Sequence, residues 1–191
     1  MNKYHILVNK DNPISMDYYN KEKLIKVKNV DNEVVLIDKK TYRYYLKLKK
    51  ELKKSNIIIA ISSAFRTIEH QEELYNEFLL KYGSDLTQKI VALPKTSEHH
   101  TGLAIDIVLK SMNYDIDYNT IFENEGEYLK IYKILPKYGF ILRYPKNKEQ
   151  ITKYNYEPWH IRFVGKKLAR KLFNNNITLE EYYQNELLKS L

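Results

Sequence analysis

Two short segments of the chain hold residues of the types that bind zinc and activate water. Segment 97–106 reads S-E-H-H-T-G-L-A-I-D, and segment 157–160 reads E-P-W-H. Together they contain three of the five histidines of a chain that has no cysteine. A catalytic zinc site typically has three protein ligands and one position left open for water. Two imidazoles and Asp106 could bind the metal, and Glu157 could act as a base.

The spacing of these residues favours a loop and two strands over a single helix. His99 and Asp106 are separated by six residues, which does not fit neighbouring turns of one helix. Gly102 lies between them and allows the backbone to turn, so that Asp106 can reach the same metal. His160 follows about fifty residues later, and a proline keeps it and Glu157 out of a helix. A carboxylate in this place can take a proton from water and pass it to a leaving amine.

Asp106 lies in the apolar run L-A-I-D-I-V at 103–108. Burying an unpaired carboxylate is costly, so this residue needs a cation, a metal or a hydrogen-bond partner. On composition and spacing alone, a zinc ion and another partner remain equally open. His5 and His70 each stand alone, and we assign them no functional role.

Length and composition indicate one domain, spanning residues 1–191. A chain of 191 residues can bury a sizeable core, and it contains no linker, internal repeat or low-complexity tract. The net charge of +8 comes mostly from lysines scattered among Asn, Ile and Tyr, with no nucleic-acid-binding motif, so we expect no nucleic-acid partner. No run of 18 apolar residues is present, which predicts no membrane span.

The N-terminal segment lacks the apolar core of a secretory peptide. With Met1 as the natural start, we expect a cytoplasmic protein; removal of a leader would instead imply secretion.

The apolar patterns predict an α+β fold. We expect a small central antiparallel sheet with flanking helices, and we expect this sheet to carry the candidate zinc residues. Caps and stop signals are expected at Asp38, Thr67, Gly83 and the box Thr178-x-x-Glu181. Strands are predicted at 5–8, 57–62, 103–109, 140–142 and 159–164, and a further short apolar run stands at 34–37. Helices are predicted at 39–54, 67–82, 84–93, 125–137, after Gly165 and after Thr178.

Four motifs together resemble the zinc D,D-peptidases of the vancomycin-resistance group. They are S-A-F-R-T-x-x-x-Q from position 63, S-E-H-H-T-G-L-A-I-D, Y-G-F-I-L-R-Y-P and Y-E-P-W-H-I-R-F-V-G, in that order within 57–165. The group comprises VanY-type carboxypeptidases, VanX-type dipeptidases and bifunctional VanXY enzymes (peptidase M15), related to L,D-carboxypeptidases and endolysin peptidases. The short chain and its T-L-E-E-Y tail within 166–191 look most like the cytoplasmic VanXY enzymes.

The resemblance implies a role for each motif residue. His99, Asp106 and His160 would be the zinc ligands and Glu157 the general base. Arg66 would face the scissile carbonyl, where a fixed guanidinium stabilises the developing oxyanion; a structural ion pair is its alternative role.

The resemblance also implies residues that contact the substrate. Ser97 and Gln71 match positions that line the substrate site, and Tyr154 is expected in the cleft; Ser97 could instead cap its loop. His100 could compete with His99 for zinc, although His99 has the family's spacing to Asp106. Segments 82–96 and 110–125 are the candidate cleft walls. Lys95 and Lys153 replace glycines that are common in the family, which we expect to alter only the rim of the site.

The implied activity is hydrolysis of the bond between two D-alanines, in the free dipeptide or at the end of peptidoglycan precursors, by a zinc enzyme that would confer glycopeptide resistance. Two rivals remain open. One is a cell-wall lytic or L,D-peptidase on the same fold. The other is a zinc-containing binding protein without turnover, against which the base Glu157 argues.

Overall fold

A four-stranded antiparallel sheet lies at the centre of the computed structural model, which describes residues 2–21, 23–110 and 125–188. Its spatial order is β3-β4-β6-β5, so β4 and β6 are the inner strands. The bounds are β3 Ile59–Ser63, β4 Ala104–Leu109, β5 Phe140–Leu142 and β6 His160–Phe163. All four match predicted strands to within two residues at each end.

A second, two-stranded sheet precedes the central one and extends it through two backbone hydrogen bonds. It consists of β1 Leu24–Lys28 and β2 Val34–Asp38, and the short helix α1 Met16–Lys21 comes before it. The amides of Val30 and Phe65 donate to the carbonyls of Ile61 and Leu36, which join the hairpin to β3 and its following loop. The apolar run at 34–37 is thus a strand, whereas α1 and β1 were not predicted.

The helices begin and end near the predicted signals. Asp38 accepts a hydrogen bond from the Thr41 amide and caps α2, and Thr67 caps α3 in the same way through the His70 amide. Gly83, at φ 74°, interrupts α3 where a stop was expected. The helices are α2 Lys39–Lys53, α3 Ile68–Ile90, α4 Glu125–Tyr138, α5 Glu149–Thr152, α6 Lys166–Asn175 and α7 Leu179–Leu188. The Thr178–Glu181 capping box opens α7.

The main core lies between the sheet and helices α2 and α4. Alternate side chains of β4, Ile105 and Ile107, face this core and pack with Leu48 of α2 and Ile131 of α4. Because side chains alternate across a strand, Asp106 projects from the opposite face of the sheet. The α+β prediction is therefore confirmed, and the alternation determines which face carries the polar residues.

The predicted strand at 5–8 is wrong. Residues Lys3–His5 form a short 3-10 turn, and the Ile6 carbonyl accepts a hydrogen bond from Arg162 at 2.8 Å. A buried side chain therefore satisfies this backbone in place of a neighbouring strand. No helix within the described ranges is long and apolar enough to cross a membrane.

Candidate active site

The three predicted metal ligands come together at the inner strands of the sheet. Asp106 on β4 and His160 on β6 are partners in register, and Asp106 Oδ1 lies 3.1 Å from His160 Nδ1. His99 Nε2 lies 3.2 Å from Asp106 Oδ2. One ligand atom from each residue lies within 4.8 Å of the others, which is a spacing that a single metal ion can bridge.

A tight turn before β4 delivers His99 to this cluster. Residues Glu98–Thr101 form a 3-10 helix, and the Ser97 hydroxyl accepts a hydrogen bond from the His99 amide at its start. The turn ends at Gly102, which has φ 68°. A Cβ there would lie 2.6 Å from Leu24 Cδ2, so glycine is needed both for the backbone conformation and for space.

Hydrogen bonds determine which histidine nitrogens are available to a metal. His99 Nδ1 hydrogen-bonds to the Ala64 carbonyl, so this nitrogen carries the proton and Nε2 presents its lone pair to the cluster. His100 instead pairs its Nδ1 with the Arg66 carbonyl at 2.7 Å, and its Nε2 accepts from the Lys95 amide at 3.1 Å. His100 is therefore occupied in holding the loop, which agrees with the choice of His99 over its neighbour.

The chemistry of the cluster fits a divalent metal. Burial lowers the pKa of His99, which favours the neutral imidazole that a metal needs. Burial opposes the charge of Asp106, but the two histidines hold the pKa of its carboxyl well below the usual range. Asp106 Oδ1 is buried, and its 3.1 Å contact with His160 Nδ1 lacks hydrogen-bond geometry, so this oxygen has no hydrogen-bond partner among the described residues. A buried anion between two imidazoles is a donor set that suits Zn²⁺.

Glu157 lies beside the cluster with its carboxylate directed at the same space. Its Oε2 is 3.6 Å from His160 Nδ1, and its amide donates to the Tyr144 carbonyl at 3.1 Å. Burial raises the pKa of Glu157 to about 8, with the charge of Asp106 adding to this effect and those of His160 and Arg66 opposing it. Such a carboxylate is a stronger base than one in water, as proton transfer near neutral pH requires.

Arg66 is held in place by Gln71. Arg66 Nη1 donates to Gln71 Oε1 at 2.8 Å, and Gln71 Nε2 donates to the Ala92 carbonyl at 2.7 Å. Arg66 Nη2 lies 4.0 Å from Asp106 Oδ2, on the cluster side. Both polar ends of the buried Gln71 are thus used within the protein, and its side chain lies behind Arg66 and outside the residues that line the cavity.

A cavity of about 280 Å³ opens over the cluster. Arg66, Glu157 and the three predicted metal ligands line it together with Ser97 and Tyr154. Tyr154 is buried, and its hydroxyl has no hydrogen-bond partner in the described part of the chain. The Ser97 oxygen accepts from the His99 amide and caps its loop.

The predicted cleft walls are only partly described. Within 82–96, Ile90, Val91 and Ala92 line the cavity. Of the second wall, 110–125, residues 111–124 lie outside the described residues. Two rim positions, Lys95 and Lys153, have φ of 69° and 65°. These are left-handed conformations that favour glycine, which accounts for the glycines expected there from the resemblance.

The family described as VanY, D-alanyl-D-alanine carboxypeptidase, matches residues 35–166, a range that contains every residue of this site. The chain belongs to this family. Putative carboxypeptidase YodJ of Bacillus subtilis is 44% identical over 133 residues, which is 69% of this chain and 48% of that protein. The bifunctional dipeptidase and carboxypeptidase VanXYC of Enterococcus gallinarum is 38% identical over 125 residues, 65% of this chain and 66% of that protein. The chain thus spans about half to two thirds of these VanY-family relatives.

Solved structures share the fold. VanXYg, a D,D-dipeptidase in complex with a D-Ala-D-Ala phosphinate analogue, superposes with a TM-score of 0.82 at 34% identity, covering 95% of this chain and 70% of that one. The LD-carboxypeptidase LdcB gives 0.81 at 35% identity, with 93% and 84% covered. A VanY mutant in complex with Zn(II) gives 0.75 at 30% identity, with 95% and 99% covered. The expected family is confirmed, and the His-Asp-His group of this chain is one that could hold a metal ion.

The sequence interpretation missed the charged residues behind the cluster. Glu98, Arg143 and Arg162 are fully buried, and both arginines donate hydrogen bonds to Glu98. The motifs could have predicted this burial. Glu98 lies between two residues of the site, and both arginines belong to motifs that form or adjoin buried strands. Charged residues at such positions need partners.

Proposed function

We propose that this VanY-family chain is a zinc-dependent D,D-peptidase that hydrolyses the bond between two D-alanines, as a carboxypeptidase, a dipeptidase or both. The observation that carries the proposal is a single cavity lined by a His-Asp-His group, a buried carboxylate of raised basicity and a guanidinium. The substrates would be the free dipeptide and peptidoglycan precursors that end in D-Ala-D-Ala. Removal of that terminus would confer glycopeptide resistance.

His99 Nε2, an Asp106 carboxylate oxygen and His160 Nδ1 would hold the zinc ion. When bound, zinc supplies a Lewis acid that polarises the scissile carbonyl and makes water a better nucleophile near neutral pH. Burial opposes the charge of His160, but its carboxylate neighbours raise its pKa to about 9 in the metal-free site, so metal binding would displace a proton. The two imidazoles would then be neutral and Asp106 would bring one negative charge, which leaves a dication with a net positive charge to attract an electron-rich carbonyl.

Glu157 would move the proton in both halves of the reaction. Its carboxylate takes a proton from the attacking water, and the resulting acid gives it to the nitrogen of the leaving D-alanine. A pKa near neutrality suits both directions, because the group can then accept and release a proton at similar cost.

Arg66 would stabilise the negative charge that develops on the carbonyl oxygen. The Gln71 amide fixes the guanidinium before substrate arrives, so no reorganisation is needed during attack. Tyr154 and Ser97 would contact the peptide, with the Ser97 hydroxyl as a donor because its oxygen already accepts from the His99 amide, while Gln71 acts through Arg66.

A second candidate activity is L,D-carboxypeptidase, which removes a D-alanine attached to an L-residue. It is favoured by the likeness to LdcB, which extends over 93% of this chain. The two activities would share the same metal, base and cation and would differ only in how the cavity wall reads the residue before the scissile bond.

D-alanine release from three peptides would test the proposal. Zinc-loaded protein is incubated with D-Ala-D-Ala, with a precursor pentapeptide and with a stem tetrapeptide that has an L-residue before its terminal D-alanine. D-alanine release from the dipeptide or the pentapeptide supports the D,D-peptidase if a chelator abolishes the release and zinc restores it. Release from the tetrapeptide alone would move the assignment to the L,D activity. Clearing of intact cell walls without D-alanine release would indicate a lytic peptidase, and no turnover at all would overturn the enzymatic proposal.

The compartment of the protein decides which of these substrates it meets. We propose a cytoplasmic location, where free dipeptide and precursors are made, and a single domain over 1–191. Fractionation of the source cells tests the location, and limited proteolysis tests the domain.

A further inference from the structure

A buried charge network lies directly behind the metal cluster. Glu98 precedes the ligand His99, and its side chain is completely shielded from solvent. Its Oε1 accepts hydrogen bonds from Arg143 Nε and from Arg162 Nη1, each at 2.7 Å. Both guanidinium groups are also fully buried. Burying three charges costs free energy unless each is well paired and hydrogen-bonded, so we asked what this network does for the neighbouring site.

The outer side of this network is held by further hydrogen bonds. Arg143 uses both terminal nitrogens on the Glu180 carboxylate of α7, with Nη1 at 2.9 Å from Oε2. Arg162 donates to the Ile6 carbonyl at 2.8 Å and to the Phe163 carbonyl at 3.2 Å. Two arginines and two glutamates balance in charge, and these contacts fix both guanidinium groups from their far ends.

The inner side of the network has one open acceptor. Glu98 Oε2 lies 3.7 Å from His160 Nε2, and both atoms are buried without a hydrogen-bond partner in the described part of the chain. The separation is somewhat longer than a hydrogen bond. The other nitrogen of the same ring, Nδ1, faces Asp106 at 3.1 Å. The imidazole of His160 therefore lies between the carboxylate of the metal cluster and the carboxylate of the network.

We propose that Glu98 is a positioning residue for the metal ligand His160: its Oε2 accepts the Nε2 proton, which leaves the Nδ1 lone pair for the metal, while Arg143 and Arg162 hold the carboxylate in place. The inference rests on the proposed metal site. Ligating histidines commonly donate their second ring proton to a carboxylate, which fixes both tautomer and orientation. A small inward movement of His160 on metal binding would close the remaining gap.

A purely structural role gives a different expectation. If Glu98 served only as the counter-ion of two buried arginines, its loss would destabilise the fold and leave the intrinsic affinity for metal unchanged. Glu180 provides the matched comparison, because it pairs with the same Arg143 but does not approach His160.

The decisive experiment compares Glu98→Gln with Glu180→Gln. In Glu98→Gln the amide oxygen can still accept from the arginines, which turns its NH2 group toward His160 Nε2 and favours the wrong tautomer. Zinc affinity is measured by competition with a chromophoric chelator, and stability by urea unfolding of the metal-free proteins. We expect both variants to lose stability and only Glu98→Gln to bind zinc ~10–100-fold more weakly. Equal zinc affinity in Glu98→Gln and wild type would overturn the proposal.

A measurement on the wild type covers the case in which Glu98→Gln does not fold. Long-range nitrogen–proton NMR correlations of the zinc-loaded protein, labelled at histidine, report the protonated nitrogen of each ring. We expect one ligand ring bound through Nδ1, with a slowly exchanging Nε2 proton. If both ligand rings bind metal through Nε2, the proposal is wrong. Failure of the wild type to bind zinc would instead reject the proposed metal site itself.

Discussion

Asp106 and His160 face each other across the two inner strands, with Oδ1 and Nδ1 3.1 Å apart at partnered register positions. The sheet itself therefore sets two of the three proposed ligands, and the Glu98–Thr101 turn adds the third, His99. Because strand pairing fixes this distance before any ligand binds, the site is preorganised for a metal.

Replacement of Asp106 by Asn should remove zinc binding with little change of side-chain size. The amide lacks the negative charge that offsets the dication, so we expect affinity to fall by more than the ~10–100-fold typical of an outer-shell partner. Zinc content after dialysis at defined free zinc measures this. Asp38→Asn, at a buried helix cap outside the cluster, is the control and should lose stability but keep its metal. A full equivalent of zinc in Asp106→Asn would contradict the ligand assignment.

Gln71→Met should reduce turnover without reducing zinc content. It removes the 2.8 Å hydrogen bond from Arg66 Nη1 and leaves the 3.3 Å bond from Nη2 to Ser63 Oγ, so the cation keeps its charge but is held less firmly. Removal of a transition-state donor itself costs about 10²–10³ in kcat, and we expect a smaller loss here. The free energy of unfolding should fall by about 1 kcal/mol because the part-buried Ala92 carbonyl loses its donor. Gln88→Met, at an exposed side chain of α3, is the control. Unchanged kcat in Gln71→Met would show that Arg66 does not need this support.

Gly102→Ala should destabilise the protein and disturb the metal site. The residue has φ 68°, and a Cβ would lie 2.6 Å from Leu24 Cδ2 and 3.3 Å from the Asp38 amide nitrogen. The left-handed conformation alone costs roughly 1–2 kcal/mol for a residue with a side chain. Thermal unfolding with and without zinc measures the effect. Gly126→Ala, in α4 with open space around its Cβ, should instead stabilise the fold by about 0.5–1 kcal/mol.

The Arg143–Glu180 pair should make stability depend on pH in the acid range. Burial opposes the charge of Glu180, but the Arg143 guanidinium holds the pKa of this carboxyl below its usual value. A folded-state pKa below the unfolded value of about 4.3 stabilises the fold above that pH, and the contribution is lost as the pH falls further. Urea unfolding of metal-free wild type and Glu180→Gln should therefore show a difference that shrinks below about pH 4.3. A difference that is independent of pH would contradict the assignment.

Much of the site could be predicted from local sequence. The motif residues on β4 and β6, the Gly102 turn and the caps at Asp38 and Thr67 follow from alternation, backbone preference and capping, which act over a few residues. The strand predicted at 5–8 is wrong because a residue far away in the chain determines the structure there. Its backbone is satisfied by Arg162, about 156 positions away in the chain, and no local pattern signals such a partner.

Side-chain networks were the least predictable part. Gln71 was expected to contact substrate, yet both its polar groups hold other parts of the protein. Glu98 was given no role, although it lies between Ser97 and His99. In both cases the motif shows that the position faces the site, while the choice between touching the ligand and supporting a neighbour depends on contacts between distant segments.

The most direct test of the account is a comparison of D-alanine release by zinc-loaded wild type and Glu157→Gln. The substitution preserves size and removes the base, so turnover should fall by about 10²–10⁴ while zinc content and thermal stability remain near wild type. Glu73→Gln, at an exposed position of α3, should have no effect. Wild-type rates in a metal-loaded Glu157→Gln protein would contradict the central claim that this buried carboxylate carries the proton.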